Sequence, residues 1–283
     1  MLRVLLLGGV GIIPMLCSNT VVAAPSAELG EYLVEGPAGC GNCHTPLGAE
    51  GPDYLKSLGG RLVDENPGFT AYAPNITPGS RVADWTDEEL VRAIREGLRP
   101  DGTLIGPPMP FALYRGLSDD DVQSIVAYLR TVPVVDSQQP ESVYNIPLPH
   151  AYGPPVESVA HPQAGVTVEY GAYLAGPVAH CMECHTPHGP QGPMLDTHAG
   201  AGGFEFRGPW GVSVAPNLTP HPEDGIARYS HEELKAMITQ GVHPDGKPMM
   251  PPMPYAYLAK MTPRDLDAII LYLRSLKPLP FYE

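Results

Sequence analysis

The sequence Cys40-Gly41-Asn42-Cys43-His44 recurs in the second half of the chain as Cys181-Met182-Glu183-Cys184-His185. In each copy two thiols are separated by two residues, and an imidazole follows the second thiol directly. Thiols three positions apart lie on the same face of a helical turn, so a single flat group can meet both of them. The chain contains 5 Cys, and the one outside these copies is Cys17. The pattern therefore indicates two equivalent sites, one in each half.

The Cys-x-x-Cys-His spacing is the attachment pattern of c-type haem. Each thiol can add to a haem vinyl group, and the His that follows is placed under the iron as its proximal ligand. The sequence therefore predicts two covalently bound haem c groups. The predicted attachment and proximal residues are Cys40, Cys43, His44, Cys181, Cys184 and His185. The alternatives are metal binding by the thiols or a vicinal disulfide in each motif, and a disulfide would leave the two His unexplained.

Sequence blocks around the motifs recur in the same order, which predicts two copies of one structural unit. The repeated blocks are residues 30–33 and 171–174, 73–78 and 215–220, 85–90 and 229–234, 107–111 and 251–255, and 128–130 and 272–274. Between the copies the chain is rich in Pro and lacks a periodic apolar stripe. We expect a semi-extended Pro-rich linker over 133–165, long enough to wrap one domain, between domains at 25–132 and 166–283.

Each half is predicted to be mainly α-helical. Apolar residues at helical spacing predict a last helix over 119–131, a first helix is expected over 28–34, and both have counterparts in the second half. Capping boxes predict helix starts at Thr86 with Glu89, Ser118 with Asp121, Ser230 with Glu233, and Thr262 with Asp265. No run of residues alternates well enough to predict a strand.

A six-coordinate haem iron needs a second ligand opposite the His. Met109 is the only Met between residues 16 and 181, and Met253 occupies the same Pro-Pro-Met-Pro frame in the second half. Both are predicted as distal ligands, with a plain core Met as the alternative role. Rival ligands in the second half are Met249, Met250 and His243. Met/His ligation raises the reduction potential and fills the iron, which favours electron transfer over catalysis at haem.

Further polar residues are assigned roles around the haems. The proximal His nitrogens that do not bind iron are expected to donate to backbone carbonyls in the Pro46 and Pro187 loops. Asn75 and Asn217 are expected either to donate to haem propionates or to serve as turn residues. The eight other His lack regular ligand spacing and are predicted to be scattered on the surface, with a metal or proton site as the alternative. They are His150, His161, His180, His188, His198, His221, His231 and His243.

The N-terminal segment and the charge indicate where the protein works. Residues 1–24 have the pattern of a secretory signal, in which Arg3 precedes a short apolar run and small residues follow. Export to the periplasm is expected, with a retained N-terminal anchor as the alternative. The formal net charge of −14 repels nucleic acid and anionic membrane surfaces. It suits docking to a basic partner patch, with the alternative that the acidity only keeps a periplasmic protein soluble. Association with the inner membrane is therefore expected only through a partner or a retained leader.

The chain resembles the dihaem class I cytochromes c and, more closely, the cytochrome subunits of periplasmic membrane-bound dehydrogenases. The resemblance rests on the Cys-x-x-Cys-His-Thr-Pro runs at 40–46 and 181–187 and on the Met-Pro-Phe/Tyr segments at 109–111 and 253–255. It implies two tandem class I cytochrome c domains joined by the linker, and it supports Met109 and Met253 as distal ligands. The dehydrogenase subunits usually carry three haem motifs, whereas this chain has two.

The expected function is that of a periplasmic dihaem electron carrier with no catalytic residue of its own. Electrons would come from a partner dehydrogenase and pass to a terminal oxidase or another cytochrome. The alternative is a dihaem redox enzyme, either a peroxidase or a thiosulfate-oxidising cytochrome. A peroxidase needs an exchangeable haem and the thiosulfate-oxidising enzymes use a Cys axial ligand. Here both Met are present, and the fifth Cys lies in the leader.

Overall fold

The computed structural model describes residues 25–49, 51–189 and 192–282, so the predicted leader at 1–24 lies outside the described residues. In this part the α-helices are α1 (Ala27–Glu35), α2 (Cys40–His44), α3 (Asp87–Glu96), α4 (Phe111–Tyr114), α5 (Asp119–Leu129), α6 (Val168–Tyr173), α7 (Cys181–Cys184), α8 (Leu195–His198), α9 (His231–Gln240), α10 (Tyr255–Leu258) and α11 (Pro263–Ser275). The structure is mainly α-helical, as predicted. None of these helices is both long and apolar enough to cross a membrane.

The remaining regular elements are short. The strands are β1 (Leu47–Gly48), β2 (Gly51–Pro52), β3 (Arg61–Asn66), β4 (Phe69–Ala73), β5 (Val143–Tyr144), β6 (His188–Gly189), β7 (Gly192–Pro193), β8 (Glu205–Gly208) and β9 (Gly211–Val214). Single turns of 3-10 helix lie at Tyr54–Lys56, Arg81–Asp84 and Ile226–Arg228, and Leu174–Val178 forms a π turn. All strand pairs are antiparallel.

The sequence predicted no strand, but each half contains an antiparallel hairpin, β3–β4 in the first and β8–β9 in the second. In β3 the pairing register shifts between Leu62 and Asp64, so an extra residue interrupts the alternation of apolar and polar side chains. Most of β3 is exposed and rich in polar residues. A period of two was therefore not visible in the sequence.

In each half the first helix crosses the last helix at a glycine. A Cβ atom on Gly30 of α1 would lie 1.9 Å from the carbonyl oxygen of Ser124 in α5, and one on Gly171 of α6 would lie 2.0 Å from that of Ala268 in α11. Only glycine permits such a close backbone approach. The predicted helices at 28–34 and 119–131 are confirmed as α1 and α5, although α5 ends at Leu129.

Two of the four predicted capping boxes form completely. The side chains of Thr86 and Ser230 accept from the backbone N–H groups of Glu89 and Glu233, and both Glu side chains reach back to the cap residues. Ser118 and Thr262 cap α5 and α11 in the same way. Their partners Asp121 and Asp265, however, use their carboxylates elsewhere.

These two carboxylates join the halves of the molecule. Tyr32 of the first half donates its hydroxyl to Asp265 of the second, and Tyr173 of the second half donates to Asp121 of the first. Each phenol oxygen also accepts from the backbone N–H of a helix-cap residue. Tyr32 accepts from Thr262 N at 3.2 Å, and Tyr173 accepts from Ser118 N at 3.0 Å. The contact is therefore reciprocal, and it explains why the Asp side chains do not complete their capping boxes.

One cluster of buried apolar residues runs through both halves. It includes Leu33 and Val122 of the first half and Leu174 and Ile270 of the second. α4 packs against the π turn Leu174–Val178, which belongs to the second half. The two halves therefore share a core in addition to the reciprocal Tyr–Asp contacts.

Removing either reciprocal hydroxyl should destabilise the protein measurably. Hydrogen bonds to charged groups contribute about 1.5–3 kcal/mol, and Tyr32→Phe or Tyr173→Phe leaves a carboxylate and a backbone N–H without their partner. We expect each variant to lose about that much free energy of unfolding, measured by denaturant titration of the holo-protein. Tyr54→Phe, at a side chain that is 58% exposed, is the matched control. Equal stability of all three variants would contradict a stabilising role for these hydroxyls.

Asp121 should make part of the stability depend on pH. Burial raises the pKa of its carboxyl above the ordinary 3.8. The hydrogen bond from Tyr173 and the charge of His161, whose Nε2 lies 3.6 Å from Asp121 Oδ2, lower this pKa, but the effect of burial is larger. The folded state therefore holds this proton more tightly than the unfolded chain does. The stabilisation is complete below pH 3.8 and is lost as the pH rises through the folded-state pKa.

The corresponding experiment compares the wild type with Asp121→Asn, which cannot titrate at this position. The melting temperature of the wild type relative to the variant should fall as the pH is raised from about 4 through the weakly acidic range. A difference in melting temperature that stays constant over this range, or that rises with pH, would show that the folded state does not raise the pKa of Asp121.

Residues 133–165, which we call the connecting segment, run along the first half. Asn75 Nδ2 donates to Val135 O at 2.7 Å, β5 pairs with β4, and Asp119 N donates to Val159 O at 2.9 Å. The segment, all of which the structure describes, contains no helix and only one short strand. Its contacts extend from the β3–β4 sheet to the start of α5.

Candidate haem sites

Each Cys-x-x-Cys-His motif lies on a short helix, α2 or α7, that starts after a residue with left-handed backbone. These residues are Gly39, with φ of 55°, and His180, with φ of 40°. Behind the helices, Thr45 Oγ1 accepts from Leu58 N and Thr186 Oγ1 accepts from Gly200 N, both at 3.1 Å. Both threonines are fully buried. The Thr that follows each motif therefore anchors it to the same kind of loop in both halves.

Both proximal His are held by a backbone carbonyl. His44 Nδ1 lies 2.8 Å from Pro74 O, and His185 Nδ1 lies 2.8 Å from Pro216 O. The expectation that the acceptors lie in the Pro46 and Pro187 loops was wrong. They come from the Ala-Pro-Asn blocks about thirty residues further along the chain, a long-range contact that motif spacing does not reveal.

This contact prepares the imidazoles for metal binding. When Nδ1 carries the proton and donates to the carbonyl, Nε2 is left with its lone pair. Burial lowers the pKa of both His44 and His185, so the rings are kept neutral, as a metal ligand must be. Both rings therefore have the tautomer and charge that haem iron requires.

The Ala-Pro-Asn loops take their shape from the Asn side chains. Asn75 Oδ1 accepts from Thr77 N at 2.8 Å, and Asn217 Oδ1 accepts from Thr219 N at 2.7 Å. Their amide groups donate to backbone carbonyls, that of Asn217 to Leu279 O at 2.7 Å. Both Asn side chains are buried and their amide groups donate to backbone carbonyls, so the contacts that the structure shows are those of turn residues. The Asn residues position the carbonyls that hold the proximal rings.

The two predicted distal Met lie in equivalent segments. Phe111 N donates to Met109 O and Tyr255 N donates to Met253 O, both at 2.9 Å, and a cis Pro–Pro peptide precedes each Met. Both Met side chains are half-buried and pack against the shared core, as do Cys40 and Cys181. The structure therefore brings each Met to the same core as the thiols of its half. Their ligation of iron remains a prediction.

The rival ligands of the second half are placed differently. Met250 is 47% exposed, and Met249 is not among the described apolar residues that pack against the core. Met249 N donates to Gly241 O at 2.7 Å, as Ile105 N donates to Gly97 O in the first half. The position of Met249 is therefore that of an apolar loop residue, which favours Met253 as the ligand.

The four motif thiols are half-buried and unpaired. Burial raises the pKa of Cys40 and Cys184 to about 12 and that of Cys181 to about 11, and it also raises that of Cys43. The four described Cys form no disulfide, and among the described residues no three His, Cys, Asp or Glu side chains are grouped as a metal site.

The two motifs lie side by side where the halves meet. The Glu183 carboxylate raises the pKa of the Cys43 thiol, and Cys43 in turn raises that of Cys184. Burial raises the pKa of Glu183 to about 8. The ring of Tyr114 lies edge-on to that of His180, at 5.8 Å between centroids, in the same contact. His180 is half-buried in this contact, and His161 is half-buried beside Asp121, so neither is fully on the surface as predicted. His198, His221, His231 and His243 are also half-buried, whereas His150 and His188 are exposed.

The surroundings of the first motif fit a haem, whose propionates are negative. Arg61 donates to Asn42 O at 2.8 Å, and its Nε atom is buried without a hydrogen-bond partner among the residues that the structure describes. Its positive charge also acts on Cys43 and His44. A cation of this kind beside the attachment site suits an anionic group of the cofactor. Arg61 stands outside every repeated block, so no pattern in the sequence pointed to it.

In each half these features fit a c-type haem site, with two thiols available for covalent attachment and a neutral imidazole available to the iron. The sequence model of the Cytochrome c family matches residues 27–133 and 168–277. The chain belongs to the cytochrome c family, and domains of this kind carry covalently bound haem c.

Several similar proteins are named as cytochrome subunits of dehydrogenases. The chain is 31% identical to the fructose dehydrogenase cytochrome subunit of Gluconobacter japonicus, over 97% of this chain and 58% of the relative. It is 29% identical to the alcohol dehydrogenase (quinone) cytochrome c subunit of Gluconobacter oxydans, over 75% of this chain and 46% of the relative. The chain thus spans about half the length of these subunits. A diheme cytochrome c-type protein of Cereibacter sphaeroides is 29% identical over 73% of this chain and 71% of its own length.

Proposed function

We propose that this protein is a periplasmic dihaem cytochrome c that carries electrons from a partner dehydrogenase to a terminal oxidase or another cytochrome. Cys40 and Cys43 attach the first haem, and His44 and Met109 ligate its iron. The second haem is held in the same way by Cys181, Cys184, His185 and Met253. The two haem domains cover residues 25–132 and 166–283, with 133–165 as the linker between them.

The observation that carries this proposal is the position of the two motifs. Both motifs pack against the core that the halves share, through Cys40 in the first half and Cys181 in the second. Haems attached at these thiols would lie near each other, so an electron can enter at one and leave at the other. Met/His ligation keeps both potentials high and both irons closed to substrate. The chain's own residues then provide binding, ligation and docking, and the redox chemistry is that of the cofactor.

The relatives support a dehydrogenase as the electron donor. Those named above serve fructose dehydrogenase and a quinone-dependent alcohol dehydrogenase, and the gluconate 2-dehydrogenase cytochrome c subunit of Pantoea cypripedii is 27% identical over 87% of this chain. The formal charge of −14 suits a partner with a basic docking patch. Binding to that partner, or a retained leader, would bring the protein to the inner membrane.

A deletion strain of the source organism tests this function. Oxygen uptake is measured with an alcohol, fructose and gluconate in the parent, the deletion strain and a strain complemented with the wild-type gene. Loss of uptake with one substrate, restored by the wild type but not by a Cys43→Ser variant, is the expected result. Unchanged uptake with every substrate, together with peroxide consumption by the purified protein, would favour the enzyme alternative.

A further inference from the structure

The segment that contains Met109 is covered by two tyrosines of the connecting segment. Tyr144 Oη donates to Pro107 O at 2.9 Å, two residues before the Met. Tyr152 Oη donates to Ile105 O at 2.8 Å, and the Tyr152 ring stacks on Phe111 with 4.8 Å between centroids and 24° between planes. The two tyrosines therefore hold the chain on both sides of Met109.

The close fit of these rings depends on small residues beneath them. A Cβ atom on Gly106 would lie 2.3 Å from the Tyr144 ring, and one on Gly97 would lie 2.9 Å from the Tyr152 ring. Tyr144 is itself fixed by the pairing of β5 with β4, where it lies opposite Phe69. Burial raises the pKa of Tyr152 to about 12 and also raises that of Tyr144, so both hydroxyls remain hydrogen-bond donors.

The second half holds the equivalent carbonyl in another way. Pro251 O, which corresponds to Pro107 O, accepts from Ser213 Oγ of β9 at 2.6 Å. The residue that corresponds to Ser213 in the first half is Ala71, which has no donor and is buried. Where the first half has Gly106 under a tyrosine ring, the second half has Met250, which is 47% exposed.

We propose that Tyr144 and Tyr152 are positioning residues for Met109, and that this contact makes the first distal ligand harder to displace than Met253. The inference rests on the proposed ligation of the first iron by Met109. The two hydroxyls and the stacked ring resist the movement of residues 105–111 that must occur before the thioether can leave the iron. The second loop is held by its own half through Ser213, and among the described residues it has no stacked tyrosine of this kind.

The test measures imidazole binding to each ferric haem of the holo-protein, together with both reduction potentials. Met109→Ala and Met253→Ala each open one haem, and their spectra identify the two haems. Wild-type protein should bind imidazole more weakly at the first haem than at the second. Tyr144→Phe and Tyr152→Phe should each raise the affinity at the first haem about fivefold, because a net hydrogen bond contributes about 1 kcal/mol.

Ser213→Ala is the matched variant. It should raise the imidazole affinity of the second haem by a similar factor and leave that of the first unchanged. Tyr54→Phe, an exposed hydroxyl of the first half, should change neither. The inference is overturned if Tyr144→Phe and Tyr152→Phe leave the first haem unchanged or alter both haems equally. If Met109→Ala itself leaves both haems in their wild-type state, the proposed ligation has failed, which is a different result.

Discussion

Replacing Cys181 and Cys184 with Ser should yield a protein that carries one covalent haem in place of two. A serine hydroxyl does not add to a haem vinyl group, so neither thioether can form in the second half. The first motif is complete in itself, because His44 is held by Pro74 O and its helix is anchored through Thr45. Mass spectrometry of the exported, denatured protein should show the loss of the mass of one haem.

Two controls make this result specific. Cys40→Ser with Cys43→Ser should remove the other haem and leave the second, and Cys17→Ser should leave both. The variant without a second haem should also unfold at lower temperature, because its core loses a large apolar group. Retention of both haems by the Cys181/Cys184 variant would contradict covalent attachment at this motif.

Replacing Met109 with His should lower the potential of one haem only. Bis-His ligation lacks the thioether that raises the potential, and the identity of the axial ligands spans roughly 0.8 V across haem proteins. We expect a fall that is a clear fraction of this range at the first haem, with the second unchanged, in a spectroelectrochemical titration. Met253→His should lower the potential of the second haem and leave that of the first unchanged.

The matched control for this prediction is Met250→His. Met250 is a rival ligand by sequence, but its side chain is exposed and corresponds to Gly106 of the first half. Its replacement should leave both potentials within a few tens of millivolts of the wild type, a small part of the roughly 0.8 V range. A large shift in this variant, with none in Met253→His, would show that Met253 is not the second distal ligand.

The sequence was informative where chemistry is local. The two Cys-x-x-Cys-His motifs, the first and last helices of each half and the capping boxes at Thr86 and Ser230 all depend on residues within a few positions of one another. The repeat also aligned Met109 with Met253, and the structure places both in the same hydrogen-bonding frame.

The sequence was uninformative where residues that are far apart along the chain come into contact. The capping pattern at Ser118 and Asp121 looks like that at Thr86 and Glu89, yet the Asp carboxylate binds Tyr173, which is far along the chain. The acceptor for His44, the carbonyl of Pro74, could not be distinguished from nearer carbonyls by spacing alone. Such contacts depend on how the halves and loops pack.

The same limit applies to the difference between the two halves. The repeated Pro-Pro-Met-Pro segments predict equivalent ligand loops, but the connecting segment covers only the first with Tyr144 and Tyr152. That segment lies outside the repeat, so alignment of the halves assigns it no partner. Its role becomes visible only from its hydrogen bonds with residues 105–107.

Whether both irons are closed by the chain's own ligands can be tested by a redox titration of the exported holo-protein. The titration is followed by optical and EPR spectroscopy, with carbon monoxide and peroxide added at the end. We predict two low-spin haems, each taking up one electron at a positive potential, with neither binding carbon monoxide nor reacting with peroxide. One high-spin haem, or one that binds carbon monoxide readily, would contradict closure of both irons and would make that haem a catalytic or sensing site.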